Sequence, residues 1–393
     1  MKKIIRNLLL VACATSCAAW ADYSEHPDAV KFSQTMVERH QFESADVERW
    51  LQDAVRVDSI IAAMQRPAEK VKPWHQYKKH FINDLRIARG VEFWSANRAN
   101  LERAEREFGV DPAIIVSIIG VETDYGRNVG SYRVIDALST LAFDYYTEIE
   151  QRESRRLFFT AQLENLLLLA RDQQQNPLTL KGSYAGAMGW GQFMPSSYRN
   201  YAVDFDGDKF ADIWNNPIDA IGSVANYFAE HGWQPGQAVA LRAVEETPLD
   251  NSDNGSSQTS HQVATGDTLF AIASKYGVTM AELQRQNKLQ NPNQIFVGQR
   301  LKINTHFTVN KLGRPTLTLD ELRRRGLTPL EPTDGSRRAL PLLLDGGSGD
   351  EYWLGLHNFY VISRYNPRVK YAMAVYQLSE LIRSQHCGPE NPC

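Results

Sequence analysis

Apolar residues recur at helical spacing along most of the first 240 positions. Phe32, Met36, Val37 and His40 open a period of about 3.6 residues, and Val47, Trp50, Leu51, Ala54 and Val55 continue it. Pro67 and Pro73 interrupt the pattern. One long helix is predicted from Trp74 to Phe108, stopped by Gly109. Asp111-Pro112 predicts a new start, with aspartate as N-cap and proline in the first turn. The residues that follow, from Ala113 to Val121, are apolar on nearly every side, so this helix must be buried. Leu157–Arg171 and Ala220–His231 predict two more helices. Strand signals are nearly absent before 240, and the expected fold class is mainly α.

The pattern changes after Ala243. Residues 245–260 are rich in Glu, Asp, Asn, Ser and Gly and read as a solvated linker. A compact unit follows at 261–303. His261–Ala264 alternates as a short strand, and Thr268 can cap a helix over Leu269–Tyr276. Thr279 and Glu282 suit a capping box for a second helix over Met280–Asn287, and Arg300–Ile303 is a closing strand. Beyond it, Leu317–Gly326 reads as a helix, 328–350 as a loop, and Tyr352–Arg383 as an aromatic and then helical segment. The division expected is 22–244 and 304–386 as one domain, 261–303 as an insertion, and 387–393 as a tail.

Composition and charge narrow the class. The 393 residues are 43% hydrophobic and carry a formal charge of -3, so no basic field draws the chain onto nucleic acid. Lys2, Lys3 and Arg6 precede an apolar run that ends near Trp20, and Ala19-Trp20-Ala21 has small residues at cleavage spacing. Residues 1–21 therefore read as an export signal. Leu10-Val11-Ala12-Cys13 also fits a lipoprotein box, so a free periplasmic form and an outer-membrane lipid anchor at Cys13 both stay open. No later stretch reaches the roughly 18 unbroken apolar residues of a membrane span. Past the signal only Cys387 and Cys393 remain, and an oxidising compartment favours a disulfide between them over two free thiols. A monomer is expected.

Glu122 closes the buried segment, followed by Thr123-Asp124-Tyr125-Gly126. Desolvation and the negative end of the helix dipole both disfavour its anion, as a general acid requires. Asp124 is two residues away and shares no helix face with it. Lys181–Ser196 interleaves glycines, small residues and aromatics, which lets backbone approach a ligand. Asp204, Asp206, Asp208 and Asp212, with the Phe210 carbonyl, have oxygen spacing suited to calcium. Lys209 stands where the usual loop has glycine, and Asn215 where it has glutamate. Asp219 is the later carboxylate that fits instead. Any such ion would be structural, and the chemistry itself needs no cofactor.

Two resemblances gather these observations. Val263, Gly266–Leu269, Ile272-Ala273, Tyr276–Val278, Asn287 and Val297–Gln299 resemble a LysM domain, which implies binding to polymers containing N-acetylglucosamine. Gly120–Arg127, Gly182–Tyr198, Asn358–Asn366 and Tyr371–Val375 resemble the membrane-bound lytic murein transglycosylase B family. That resemblance implies a lysozyme-like helical domain acting on peptidoglycan glycan strands with Glu122 as the one acid/base. It also implies a groove lined by Ser183, Gln192, Tyr227, Tyr365, Asn366 and Arg155. A non-catalytic wall-binding protein and a muramidase that uses water are the competing readings.

Overall fold

The computed structural model describes residues 22–65, 72–144, 152–246, 257–276, 278, 280–291, 294–305, 309–347 and 349–388. The expected signal, the capping residue Thr279 and the tail cysteine Cys393 lie outside these residues.

Helices dominate, as the periodicity predicts. The Pro27–His40 helix begins with proline in its first turn and ends where Gln41 turns left-handed. The segment expected as one helix over 74–108 is three: Trp74–Phe81, Asp84–Ala96 and Arg98–Phe108. The breaks have local causes. The Asn83 side chain accepts from the Arg86 amide and starts a new helix, and Asn97 ends that helix and begins the next. Gly109 stops the third at φ 70°, as expected.

The centre of the body is the Pro112–Thr123 helix, which has Asp111 as N-cap accepting from the Ala113 amide. Every residue of this helix is buried except Glu122. Burying each isoleucine contributes roughly 1.5–3 kcal/mol, which offsets the cost of holding a carboxyl at its end. The C-terminal helix Val369–His386 lies against it, and Ser117 donates to the Val375 carbonyl at 2.6 Å across the interface. Helices Asp84–Ala96, Arg98–Phe108 and Pro217–Glu230 complete the packing around it.

One departure from the sequence reading is a five-stranded antiparallel sheet. Its order is Leu317–Thr318, Arg338–Asp345, Asp350–Gly355, Ala240–Glu245 and Leu327–Pro329. The segment expected as loop at 328–350 supplies one of the long strands. Ala339–Leu344 is buried on both faces, so it shows no alternation, and Pro341 reads as a breaker. Proline is tolerated there because the Leu317–Thr318 strand pairs only with Ala339 and Arg338. The helix expected over 317–326 contracts to Leu319–Arg324, started by a capping box between Thr318 and Glu321.

The small unit has the order strand, helix, helix, strand: Ser257–Gln262, Leu269–Tyr276, Met280–Asn287 and Arg300–Thr305. Its two strands pair from Ser257↔Thr305 to Gln262↔Arg300, so the linker is shorter at both ends than 245–260. Val263, Leu269, Ile272, Val278, Leu283, Leu301 and Ile303 form its own core. Cys387, just past the last helix, is disulfide-bonded.

Candidate active site

Glu122 is the one residue of its helix that reaches solvent, and it is half-buried. Burial pushes its carboxyl up to about 7, opposed by a hydrogen bond from the Tyr371 hydroxyl at 2.5 Å. No charged side chain is among the causes that move it. Asp124, the nearest acid in sequence, is paired with Arg89.

The turn after Glu122 fixes where it points. Asp124, Tyr125 and Gly126 all have positive φ, at 52°, 59° and 80°. Gly126 has no freedom to carry a side chain, because a Cβ there would lie 2.4 Å from the Trp190 indole. Gly120, one turn back, admits the Tyr125 ring, whose hydroxyl donates to the Arg86 carbonyl at 2.9 Å. The Thr123 hydroxyl donates to the Trp190 carbonyl at 2.9 Å, which ties the helix end to the glycine-rich loop. That loop is pinned by bridges between Gly182 and Met188 and between Met188 and Phe193.

Three tyrosines surround the acid. Tyr371 comes from the first turn of the C-terminal helix, Tyr365 from the end of the His357–Tyr365 helix, and Tyr77 from the Trp74–Phe81 helix. Burial raises all three hydroxyl pKa values, Tyr77 to about 12, and the Glu122 charge adds to each. They are therefore neutral donors throughout the range in which Glu122 titrates. The Tyr77 hydroxyl is buried and has no hydrogen-bond partner among the described residues.

Of the residues that the sequence singled out, Tyr365 stands with Glu122, and its hydroxyl bonds to the Gly191 carbonyl beside Gln192. Gln192 has φ 52°, and its amide donates to Gly189 and Val129 carbonyls, which leaves its oxygen available. The Ser183 hydroxyl accepts from the Ala187 amide at 3.1 Å and shapes the loop. Tyr227 is buried behind Tyr365 at 4.7 Å between ring centres, with its hydroxyl on the Arg364 carbonyl, so it supports the wall from behind. Asn366 follows Tyr365 in extended backbone. Arg155 lies exposed on the Arg152–Asp172 helix and makes no hydrogen bond or ion pair among the described residues. Tyr77 and Tyr371 were not anticipated as site residues. Tyr371 lies within a recognisable motif, but Tyr77 looks like any buried aromatic.

The sequence pattern of the family described as Transglycosylase SLT domain matches residues 24–299 and 278–380. The chain belongs to that family. Over 370 residues, 92% of this chain and 84% of the relative, it is 39% identical to the membrane-bound lytic murein transglycosylase B of Escherichia coli (strain K12). The solved structure of the soluble lytic transglycosylase SltB1 from Pseudomonas aeruginosa matches with a TM-score of 0.71 at 42% identity, covering 91% of this chain and 99% of that one. The Escherichia coli lytic transglycosylase Slt35 in complex with calcium matches with a TM-score of 0.71 at 37% identity, covering 93% and 95%.

The acidic loop lies apart from this acid. Oxygens of Asp204, Asp206 and Asp219 come within 4.8 Å of one another, and Asp219 is fully buried. Asp219 accepts from the Phe205 amide at 2.7 Å and the Asp212 amide at 2.8 Å, which orients it toward the loop. Asp208 does not join the group; it accepts from the Phe210 amide at 2.9 Å. The Phe210 carbonyl accepts from the Asp212 amide.

Proposed function

We propose that this lytic transglycosylase cuts the β-1,4 bond between N-acetylmuramic acid and N-acetylglucosamine with Glu122 alone. Protonated Glu122 gives its proton to the glycosidic oxygen as the C1–O bond breaks. The resulting carboxylate takes the proton of the muramoyl C6 hydroxyl, whose oxygen closes on C1. Atoms balance without water, and the product ends in a 1,6-anhydro ring. Tyr371 steadies the carboxylate stage, and the buried Tyr77 hydroxyl is the unpartnered donor nearby. The observation that carries this reading is a single half-buried acid poised at about 7 with no partner carboxylate. Digestion of purified peptidoglycan followed by mass analysis tests it. Anhydro-muramoyl ends are expected. Reducing ends would mean a water-using muramidase, and intact sacculi a binding protein.

The acidic loop is proposed to hold a structural calcium ion. Three carboxylates converge there, one of them buried, and calcium takes oxygen ligands of this kind. Asp204, Asp206 and Asp219, whose oxygens already converge, would be the first ligands, with Asp208 and the Phe210 carbonyl in the same loop as further oxygen donors. The small unit is proposed to be a LysM module that holds the enzyme on glycan. Its fold order and separate core support this, alongside the motif residues. The wall substrate, the leader-like residues 1–21 and the bonded Cys387 support an exported, periplasmic protein. Mass analysis of the mature N-terminus distinguishes cleavage after Ala21 from lipid on Cys13.

A further inference from the structure

Every polar atom of Trp190 is engaged. Its amide donates to the Ile213 carbonyl at 2.9 Å, and its indole nitrogen donates to the Trp214 carbonyl at 2.8 Å. Its own carbonyl accepts from the Thr123 hydroxyl at 2.9 Å. The next carbonyl in the chain, that of Gly191, accepts from the Tyr365 hydroxyl. The glycine-rich loop is therefore held by two sets of groups. Residues 213 and 214 fix it through donors of Trp190, and Thr123 and Tyr365 fix it through two successive carbonyls.

Thr123 is the residue that follows the acid, and it is fully buried. Its hydroxyl does more than reach the loop. It accepts from the Gly126 amide at 3.1 Å, and its proton is shared between the Trp190 carbonyl and, at 3.2 Å, the Ile119 carbonyl of its own helix. Its main-chain carbonyl accepts from the Asn128 amide at 2.9 Å. The turn that these bonds span is unfavourable by itself. Asp124 and Tyr125 are consecutive left-handed residues that carry side chains, at about 1–2 kcal/mol each. Such a turn persists only where its surroundings hold it. Arg89 pairs with Asp124, and the Arg86 carbonyl accepts from Tyr125, so the Asp84–Ala96 helix supports the turn from one element. Thr123 joins the same turn to the glycine-rich loop.

We propose that Thr123 is a positioning residue for the cut: one hydroxyl, bonded to the Gly126 amide and the Trp190 carbonyl together, sets Glu122 in register with the glycine-rich loop. The inference deepens the reading of Glu122 as the acid and rests on it. Proton transfer requires the carboxyl within hydrogen-bond reach of the oxygen it serves, and a misplacement of about 1 Å costs on the order of 10²-fold in rate. Without the hydroxyl, the Gly126 amide and the Trp190 carbonyl each lose a partner at the point where the acid is aimed.

The test compares Thr123→Ser and Thr123→Ala with wild type in the full-length chain. Serine keeps the hydroxyl, and alanine removes it without crowding the Trp190 carbonyl. Purified peptidoglycan is the substrate, anhydro-muramoyl ends are counted, and near-ultraviolet circular dichroism gives the folded fraction to which each rate is referred. Alanine should lower kcat by about 30- to 100-fold and leave KM within about twofold. Serine should keep kcat within about threefold of wild type. Thr123→Val, which preserves the volume, repeats the comparison if alanine does not fold. A wild-type rate in alanine, a raised KM with unchanged kcat, or an equal loss in serine would overturn the proposal. So would serine folding where alanine and valine both do not, because the hydroxyl would then serve only the fold. Failure of wild type itself to cleave the glycan would instead end the assignment of Glu122.

Discussion

Glu122 draws its surroundings from residues 77, 190, 365 and 371, scattered over nearly 300 positions. Every core side chain of the inserted unit comes from within 263–303. The two regions are built on opposite plans. The catalytic region places a carboxyl where its anion is unfavourable, and only a large, non-locally assembled core can hold it there. On the proposed reading the insert needs only a binding surface, and its core is built from a handful of caps, turns and small apolar residues. Perturbing the first should change chemistry, and perturbing the second should change where the chemistry is done.

The largest expected effect is at the acid itself. Glu122→Gln keeps the side chain's shape and loses the proton, so the rate of anhydro product formation should fall by about 10³-fold or more while binding of glycan persists. Substantial residual lysis would place the acid elsewhere. Tyr371→Phe should slow cleavage by roughly 10- to 100-fold through loss of a positioned donor. Because the Tyr371 hydrogen bond lowers the Glu122 pKa, its removal raises that pKa further. Wild-type activity requires the protonated acid and should decline as pH rises through about 7, and in the variant this limb should move to higher pH. A pH–rate profile with an unshifted limb would show that Tyr371 does not address the acid.

Deleting 250–305 should leave the body folded and weaken binding to sacculi by about 10-fold or more, since a tether raises local concentration. An unchanged pull-down on sacculi would end the tethering role. Stability separates the regions more finely. Glu122 holds its proton to higher pH in the folded state than in the unfolded chain. Its contribution to stability is therefore full below the ordinary carboxylate range and is lost as pH rises through about 7. Glu122→Gln should remove that loss, on the order of 1–2 kcal/mol after allowing for partial exposure, and leave a variant more stable than wild type above neutrality. Denaturant titrations at two pH values read this directly. The smallest effect belongs to the acidic loop: calcium should raise Tm by roughly 2–4 °C, and Asp206→Asn should abolish the rise without altering the cleavage rate.

Much of this was readable from local sequence. Asp111-Pro112 set the start of the central helix, Gly109 the stop before it, and an apolar run with no polar face fixed its burial. Glu122 stood out because it is the one ionisable group on such a run. The insert was readable as well, because strand, caps and turns all lie within about one supersecondary unit. What failed to show had physical reasons. The Ala339–Leu344 strand is buried on both faces and contains a proline, so neither alternation nor propensity marks it. The helix expected over 74–108 breaks at Asn83, whose side chain accepts from the Arg86 amide, and at Asn97, whose side chain donates to the Phe93 carbonyl.

The order of polar and apolar residues thus determined which segments are helical, which helix lies innermost and which carboxyl must share its burial, because those depend on neighbours within a turn or two. Tertiary structure alone decided that Tyr77, Tyr365 and Tyr371 meet at that carboxyl. It also decided that Asp124 is taken by Arg89, and that Phe270 seats the insert against a sheet assembled from both sides of it. Such meetings depend on how faces far apart in sequence exclude water together, and no local pattern encodes them.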